Sequence, residues 1–359
     1  MLDHGAPHRR QGDRTLSSGK DIHIPITLLT GFLGSGKTTL LKHLLDQPDM
    51  ADTAVIVNEF GEIGLDHLLV EQGEEEVVLL DSGCLCCTIA NSLGETLSNL
   101  WFRRVRGELP AFRRVAIETT GLADPAPILH TLLTDKFVAR HYVVDGIVAT
   151  IDGMNGLGQL DTHGEAVKQA AVADRLLVTK IDVAPRRRLD TLIERLAVLN
   201  PAARTREIAD GQVAVKDVID IGLFDRSAKP AEALRWLRDG AYAAVQHEHG
   251  GSRAHDVNRH DDRIRAYCAY FDFAVSWAGY AAWTAAMRHY PGDKLLRVKG
   301  LMRLGDRARP YVVQAVQHVF GEPIRIEGWP GGDSRARLVF ITRDLDRAIV
   351  AESLGVLRG

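Results

Sequence analysis

The residues best placed to do chemistry are Lys37 and Thr38, near the end of the nonapeptide Gly31-Phe32-Leu33-Gly34-Ser35-Gly36-Lys37-Thr38-Thr39. The stretch fits the phosphate-loop pattern G-x-x-x-x-G-K-[ST] without a mismatch. Gly31, Gly34 and Gly36 let the backbone curl until its N–H groups face a phosphate chain, with Ser35 and Thr39 in the same cradle. Lys37 is expected to reach the β- and γ-phosphates, and the Thr38 hydroxyl to ligate Mg²⁺. Glu118 ends the apolar run Arg114-Val115-Ala116-Ile117, the usual position for a carboxylate that holds Mg²⁺ directly or through water. Lys37 and Glu118 are therefore the candidate catalytic residues. Gly121, three residues on, could offer its N–H to a γ-phosphate.

Two more groups bear on the ligand. Thr179-Lys180-Ile181-Asp182 follows the apolar run Arg175–Val178. In that place the Asp182 carboxylate can accept from guanine N1–H and the 2-amino group, while the Lys180 stem covers the ring. Adenine offers no such pair of donors, so the expected nucleotide is GTP. The alternative is an ordinary turn with Asp182 as a helix cap. The second group is Cys84, Cys86 and Cys87, three of the four cysteines. They lie too close together for an ordinary disulfide framework, and in a reducing compartment they point to metal or redox chemistry. Thiolates bind Zn²⁺ or Cu(I), and Glu59, Glu62 or a histidine could complete the shell. The alternative is three small buried cysteines.

These residues need elements to position them. Ile24–Thr30, Ala54–Val57, Val77–Leu80, Arg114–Ile117, Gly146–Asp152 and Arg175–Val178 read as buried strands, the third delivering the cysteines in a turn. Helical spacing follows the phosphate loop and recurs over about Ile89–Arg104 and Glu165–Ala173. Strands and helices thus alternate from Ile24 to about Phe224, the pattern of a doubly wound, mostly parallel α/β sheet. Each motif follows a strand, which gathers them at the sheet's carboxyl edge. Residues 1–23 read as a disordered tail, 24–225 as the nucleotide-binding domain and 226–262 as a histidine-rich linker. Residues 263–359 read as a smaller α+β domain. Its expected strands are Ala269–Val275, Lys294–Leu304, Tyr311–Phe320 and Arg337–Thr342, its helices Gly279–His289 and Leu345–Leu354, with Trp277 and Trp283 as core.

Composition agrees with a globular chain of two domains: 359 residues, 45% apolar, 25% charged and a net charge of -3. That charge gives no reason to expect nucleic-acid binding, and no run of about eighteen apolar residues suggests a membrane span. The N-terminus lacks a secretory apolar region, so the expected location is cytoplasmic.

In this order G-F-L-G-S-G-K-T-T, N-E-F-G-E, G-C-L-C-C, E-T-T-G-L-A-D-P and T-K-I-D resemble the CobW-type GTPase family, and Asp293–Gly300 resembles the start of its C-terminal domain. The resemblance runs from Ile24 to the end. It implies a GTP hydrolase that ties turnover to delivery of a metal, Zn²⁺ or else Co²⁺, to a client metalloprotein. It implies phosphate and Mg²⁺ binding by Lys37 and Thr38, metal ligation by Cys84, Cys86 and Cys87, and guanine reading by Lys180 and Asp182. Thr179 departs from the commoner Asn of GTPases, whose amide ties the base loop to the phosphate loop, so weaker nucleotide affinity is the expectation. The rival readings are a metal buffer or sensor without useful turnover, and an ATP-dependent enzyme with redox cysteines. The client and the oligomeric state, a homodimer included, stay open.

Overall fold

The computed structural model describes residues 23–57, 92–219, 221, 263–290, 294–305, 309–329 and 333–358, together with the backbone of 77–79 and 85–88. The tail before His23, the loop with Glu59 and Glu62, Cys84 and the 226–262 linker lie outside the described residues.

The first unit runs β1 (Ile24–Gly31), α1 (Lys37–Leu45), β2 (Thr53–Val57), β3 (Val77–Leu79), β4 (Leu85–Thr88), α2 (Leu93–Val105), β5 (Arg114–Glu118), α3 (Pro125–Thr134) and α4 (Lys136–His141). It continues with β6 (Tyr142–Asp152), α5 (Gly156–Thr162), α6 (Gly164–Val172), β7 (Arg175–Thr179), α7 (Arg186–Leu199) and β8 (Arg204–Glu207). The strands form one eight-stranded sheet in the order β3-β4-β2-β5-β1-β6-β7-β8, with β3 antiparallel to β4 and the other pairs parallel. Both faces are buried, as the near-continuous apolar runs require. Ala54 and Ile56 of β2 and Ile26 and Leu28 of β1 pack toward α2 and α3. Val55, Val57 and Leu29, on the opposite face, meet Leu40, Leu41 and Leu44 of α1.

Helix starts follow capping chemistry. Ser92 accepts from Glu95 N while the Glu95 carboxylate accepts from Ser92 N, a complete capping box that begins α2 at Leu93 and not near Ile89. Cys86 and Cys87 also depart from expectation. They lie inside β4, in register with Val55 and Ile56 of β2 and with Val78 and Val77 of β3, and not in a turn. The physical reason is the empty place beside β2, which a short apolar segment fills as a strand.

The second unit contains β9 (Ile264–Phe271), α8 (Trp277–Arg288), β10 (Leu295–Arg303), β11 (Pro310–Val316), β12 (Val319–Phe320), β13 (Ile324–Arg325), β14 (Ala336–Arg343) and α9 (Arg347–Ser353). Its antiparallel sheet has the order β12-β11-β10-β14-β9, with β13 also on β11. The expected strand over Ala269–Val275 lies earlier, because Ser276 turns the chain into α8 by accepting from Gly279 N. The expected single strand Tyr311–Phe320 folds back at Gln317-His318, giving the β11–β12 hairpin. Trp283 is fully buried as expected, but Trp277 is half exposed at the start of α8.

One face of this sheet packs on Trp283 and Met287 of α8 and Val350 of α9. The other face docks on the first unit: Ala266, Cys268, Val339 and Ile341 share a core with Leu189, Leu192 and Leu196 of α7. Arg297 and Lys299 stand on that docked face, both under 5% exposed. They meet Asp174, which follows α6: Arg297 Nη2 lies 3.2 Å from Asp174 Oδ1, and Lys299 Nζ pairs with the same oxygen. Ile147 N donates to Asp174 Oδ2 at 2.9 Å. Burial by itself would raise the Asp174 pKa; the Lys299 and Arg297 charges and these bonds outweigh it and hold the carboxyl below its ordinary range.

Candidate functional site

The phosphate loop bridges β1 and α1. Gly36 caps α1 at φ 91°, a left-handed conformation that side-chain-bearing residues rarely adopt. Lys37 is buried, its ammonium donating to Gly31 O at 2.9 Å and Phe32 O at 3.4 Å. It is thus curled beneath the loop whose phosphates it would neutralise. Ser35 and Thr150, at the end of β6, share a hydroxyl–hydroxyl hydrogen bond of 2.6 Å. Thr38 Oγ1 donates to Glu118 Oε1 at 3.2 Å, and Glu118 is 1% exposed. A hydroxyl and a carboxylate in contact beside a helix N-terminus are hard oxygen donors, the set that suits Mg²⁺ with phosphates and waters completing the shell. Thr38 and Glu118 therefore fit the ion that the fold implies.

The loop after β5 is fixed on several sides. Thr119 N donates to Leu29 O at 2.9 Å and its hydroxyl to Thr30 Oγ1 at 2.9 Å. Gly121 lies against the phosphate loop: a Cβ there would stand 2.8 Å from the Leu33 nitrogen, so only glycine fits. The buried Gln169 of α6 donates through Nε2 to Gly121 O at 3.2 Å and Ala123 O at 3.0 Å. Asp124 caps α3 by accepting from Ala126 N at 3.0 Å, with Pro125 at the first helical position.

At the other side of the loop, Thr179 Oγ1 donates to Ser35 O at 2.8 Å and Ile151 O at 3.2 Å. The base loop is thus tied to the phosphate loop by a hydroxyl in the place of the commoner amide. Lys180 takes a left-handed φ of 54°, and its ammonium pairs with Asp152 Oδ2 at 2.7 Å. Asp152 is buried at the end of β6; burial would raise its pKa, but bonds from Lys180 and from the Asn155 backbone and side chain lower it. Asp182 is exposed, as a base-reading carboxylate must be before a ligand arrives.

The structure thus brings together Gly31, Gly34, Ser35, Gly36, Lys37, Thr38, Thr39, Glu118, Gly121, Thr179, Lys180 and Asp182 at one sheet edge. Glu59, Glu62 and Cys84 lie outside the described residues, and Cys86 and Cys87 are positioned by strand register. Sequence reasoning missed Thr150, Asp152, Asp124 and Gln169. Asp152 carried the same signal as Glu118, an acid ending an apolar strand. Asp124 carried the cap signal of an aspartate before proline. Gln169 carried no signal.

A strand, a glycine-rich turn capping a helix, a carboxylate at the neighbouring strand end and a base loop define a P-loop nucleotide-binding protein. Residues 25–207 match the family model for the CobW/HypB/UreG nucleotide-binding domain, and residues 264–358 match the cobalamin synthesis protein cobW C-terminal domain. The chain belongs to the CobW family. It is 31% identical over 339 residues to the zinc chaperone YjiA of Escherichia coli K12, covering 93% of this chain and 99% of that one. It is 27% identical over 320 residues to zinc-regulated GTPase metalloprotein activator 1 of Schizosaccharomyces pombe, covering 83% and 76% of the two chains. The crystal structure of the Zn(II)-bound YjiA GTPase from E. coli superposes with a TM-score of 0.68 at 28% identity, covering 94% of this chain and 99% of that chain.

Proposed function

We propose that this protein is a GTP hydrolase that couples nucleotide turnover to the carriage of Zn²⁺ and its delivery to a client metalloprotein. The phosphate-loop amides and Lys37 bind the β- and γ-phosphates, and Thr38 and Glu118 hold the Mg²⁺ that neutralises developing charge. Gly121 N–H meets the γ-phosphate, and Lys180 with Asp182 selects guanine. Cys84, Cys86 and Cys87, with Glu59 and Glu62 as candidate partners, bind the zinc as thiolates and carboxylates. Thiolates persist in a reducing compartment, so the cytoplasm is the proposed place of action.

The observation that carries the coupling is strand order. The cysteine-bearing β4 pairs with β2, and β2 pairs with β5, whose last residue is Glu118. At the usual strand spacing the cysteine strand lies roughly 10 Å from the strand that supplies the Mg²⁺ carboxylate. The names of the relatives as zinc chaperones and zinc-regulated GTPases support the choice of metal.

Coupling is reciprocal: if GTP changes zinc affinity, zinc changes GTP affinity by the same factor, about 5- to 150-fold in typical cases. The test is Zn²⁺ titration with and without a non-hydrolysable GTP analogue, repeated with Cys86→Ala and Cys87→Ala. Tight zinc binding is expected to depend on nucleotide and to be lost in each variant. Equal zinc affinity in both nucleotide states, with GTP turnover intact, would leave a GTPase and a metal buffer sharing one fold.

A further inference from the structure

The loop after β5 is gripped from outside its own domain. Gln317 stands at the first of the two residues that join β11 to β12. It is 8% exposed, and its Nε2 donates to Asp124 Oδ2 at 2.9 Å and Oδ1 at 3.2 Å. Lys168 of α6 meets the same carboxylate at 3.0 Å. Asp124 is the cap of α3 and ends the loop that carries Gly121. Burial would raise its pKa; the Ala126 N–H, Lys168 and Gln317 together lower it.

The backbone at Gln317 is unusual. Its φ is 51°, in the left-handed region. At the first position of a two-residue hairpin, positive φ normally selects glycine. A glutamine there carries a conformational cost that the hairpin does not need. Its N–H is also fixed, donating to Leu296 O at 3.1 Å. What glutamine adds over glycine is the amide that reaches Asp124.

The neighbouring contacts show what that reach controls. Gln169 holds the Gly121 and Ala123 carbonyls from α6, and Ala123 N closes the turn on Thr120 O at 3.1 Å. With Asp124 anchored as well, the Thr120–Asp124 loop is held at both ends against Leu33 of the phosphate loop. We propose that Gln317, a residue of the C-terminal sheet, is a positioning residue for GTP hydrolysis: by anchoring Asp124 it fixes the loop that aims the Gly121 amide. The C-terminal unit is then part of the GTPase apparatus as well as its neighbour. The proposal rests on GTP hydrolysis by this chain and not on zinc delivery.

Phosphate-loop and base-loop contacts bind GTP in the ground state, whereas a loop aimed at the γ-phosphate acts mainly in the transition state. Losing the anchor therefore lowers kcat and spares KM. The experiment is steady-state GTP hydrolysis by the full chain and by Gln317→Met, Gln317→Gly and Gln317→Lys, with thermal melts of each. Gln317→Met keeps the bulk and removes the donor. Gln317→Gly removes the donor and suits the φ, so it guards against a folding defect. Gln317→Lys restores a donor of similar reach. The expected result is a kcat about fivefold or more lower in Met and Gly, the factor that corresponds to losing about one hydrogen bond's worth of positioning. KM stays within about twofold, and Lys recovers most of the rate. Wild-type kcat in both Met and Gly overturns the proposal. So does a loss in Lys equal to theirs, or rates that follow melting temperature across the three. Absence of GTP turnover in the wild type would overturn the GTPase reading instead.

Discussion

The phosphate loop and the seam between the two sheets are built in opposite ways. Lys37 finds its acceptors five and six residues back in the chain, at Phe32 and Gly31. At the seam, Arg297 reaches Asp174 across 123 positions and Gln317 reaches Asp124 across 193. The loop's cradle is built from glycines, backbone amides and one helix start that are neighbours in the chain, with Thr150 and Thr179 bracing it from outside. The seam has no meaning until both sheets are formed and docked. The two also treat charge differently. The loop gathers positive potential for a ligand still to come, while the seam pairs its charges internally, two cations on one aspartate in the interior. Such a cluster is costly to desolvate and favourable only in register. A docked sheet face that buries Arg297 and Lys299 against the Asp174 of the first unit is held to the position in which those three coincide.

The largest effect expected from breaking the seam is in stability. Asp174→Ala leaves Arg297 and Lys299 buried without their counter-ion, which should cost about 3–5 kcal/mol. A fall in the urea midpoint at constant slope would measure it. Replacing the whole cluster, as Asp174→Leu with Arg297→Met and Lys299→Met, should recover much of that loss, because the desolvation cost disappears with the charges, short of the bond that the Ile147 N–H loses. A cost below about 1 kcal/mol for Asp174→Ala would mean that apolar contacts alone hold the seam. The sign with pH follows from the depressed carboxyl. A group with a folded pKa below its ordinary 3.8 contributes stability that is fully present above that value and is lost as pH falls through the folded pKa. Acid unfolding should therefore be shallower in the apolar triple variant than in wild type.

The matching break in the loop acts more on turnover than on folding. Lys37→Ala should lower GTP turnover at least about a hundredfold, the usual result of removing one preorganised contact to transition-state charge. Its unfolding free energy should fall by about 1–3 kcal/mol at most, the cost of leaving the buried Gly31 and Phe32 carbonyls without their donor. Phosphate release and unfolding measured on the same preparation check both halves. Turnover at the wild-type rate would remove Lys37 from the mechanism.

This contrast explains what was legible in the sequence. Gly31 to Thr39 could be read because a phosphate cradle needs a fixed spacing of glycines ahead of a lysine. Glu118 and Asp182 could be placed because one ends a strand and the other follows one at a fixed offset. The alternation of strands and helices revealed the parallel sheet, although not its order. The cysteine segment was misread as a turn because its strand character comes from β2, a partner just over thirty residues earlier in the chain. The β11–β12 hairpin was read as one strand because Gln317-His318 lacks the glycine or asparagine that marks a tight turn. Arg297, Lys299 and Gln317 carried no local pattern. A charge in a strand reads as solvent-facing until another domain covers it.

Thr179 lies between the two modes of construction, and it gives the smallest and most exacting test. Its hydroxyl is a single group in a short motif, yet it joins the base loop to Ser35 across 144 positions. Thr179→Val keeps the shape and removes the donor. Ser35 O and Ile151 O lose a partner, which should cost about 1 kcal/mol. If that tie holds the base loop in register with the phosphate loop, the loss should appear as roughly fivefold weaker GTP binding. The preference for GTP over ATP should survive, because the proposed base reader is Asp182 and not Thr179. Thr179→Asn, which places an amide in the same gap, should recover most of the affinity. Isothermal titration of a GTP analogue and an ATP analogue into the three proteins separates the outcomes. Unchanged GTP affinity in Thr179→Val would show that the two loops hold their positions independently, and that the Thr179 bond follows from their placement without helping to set it.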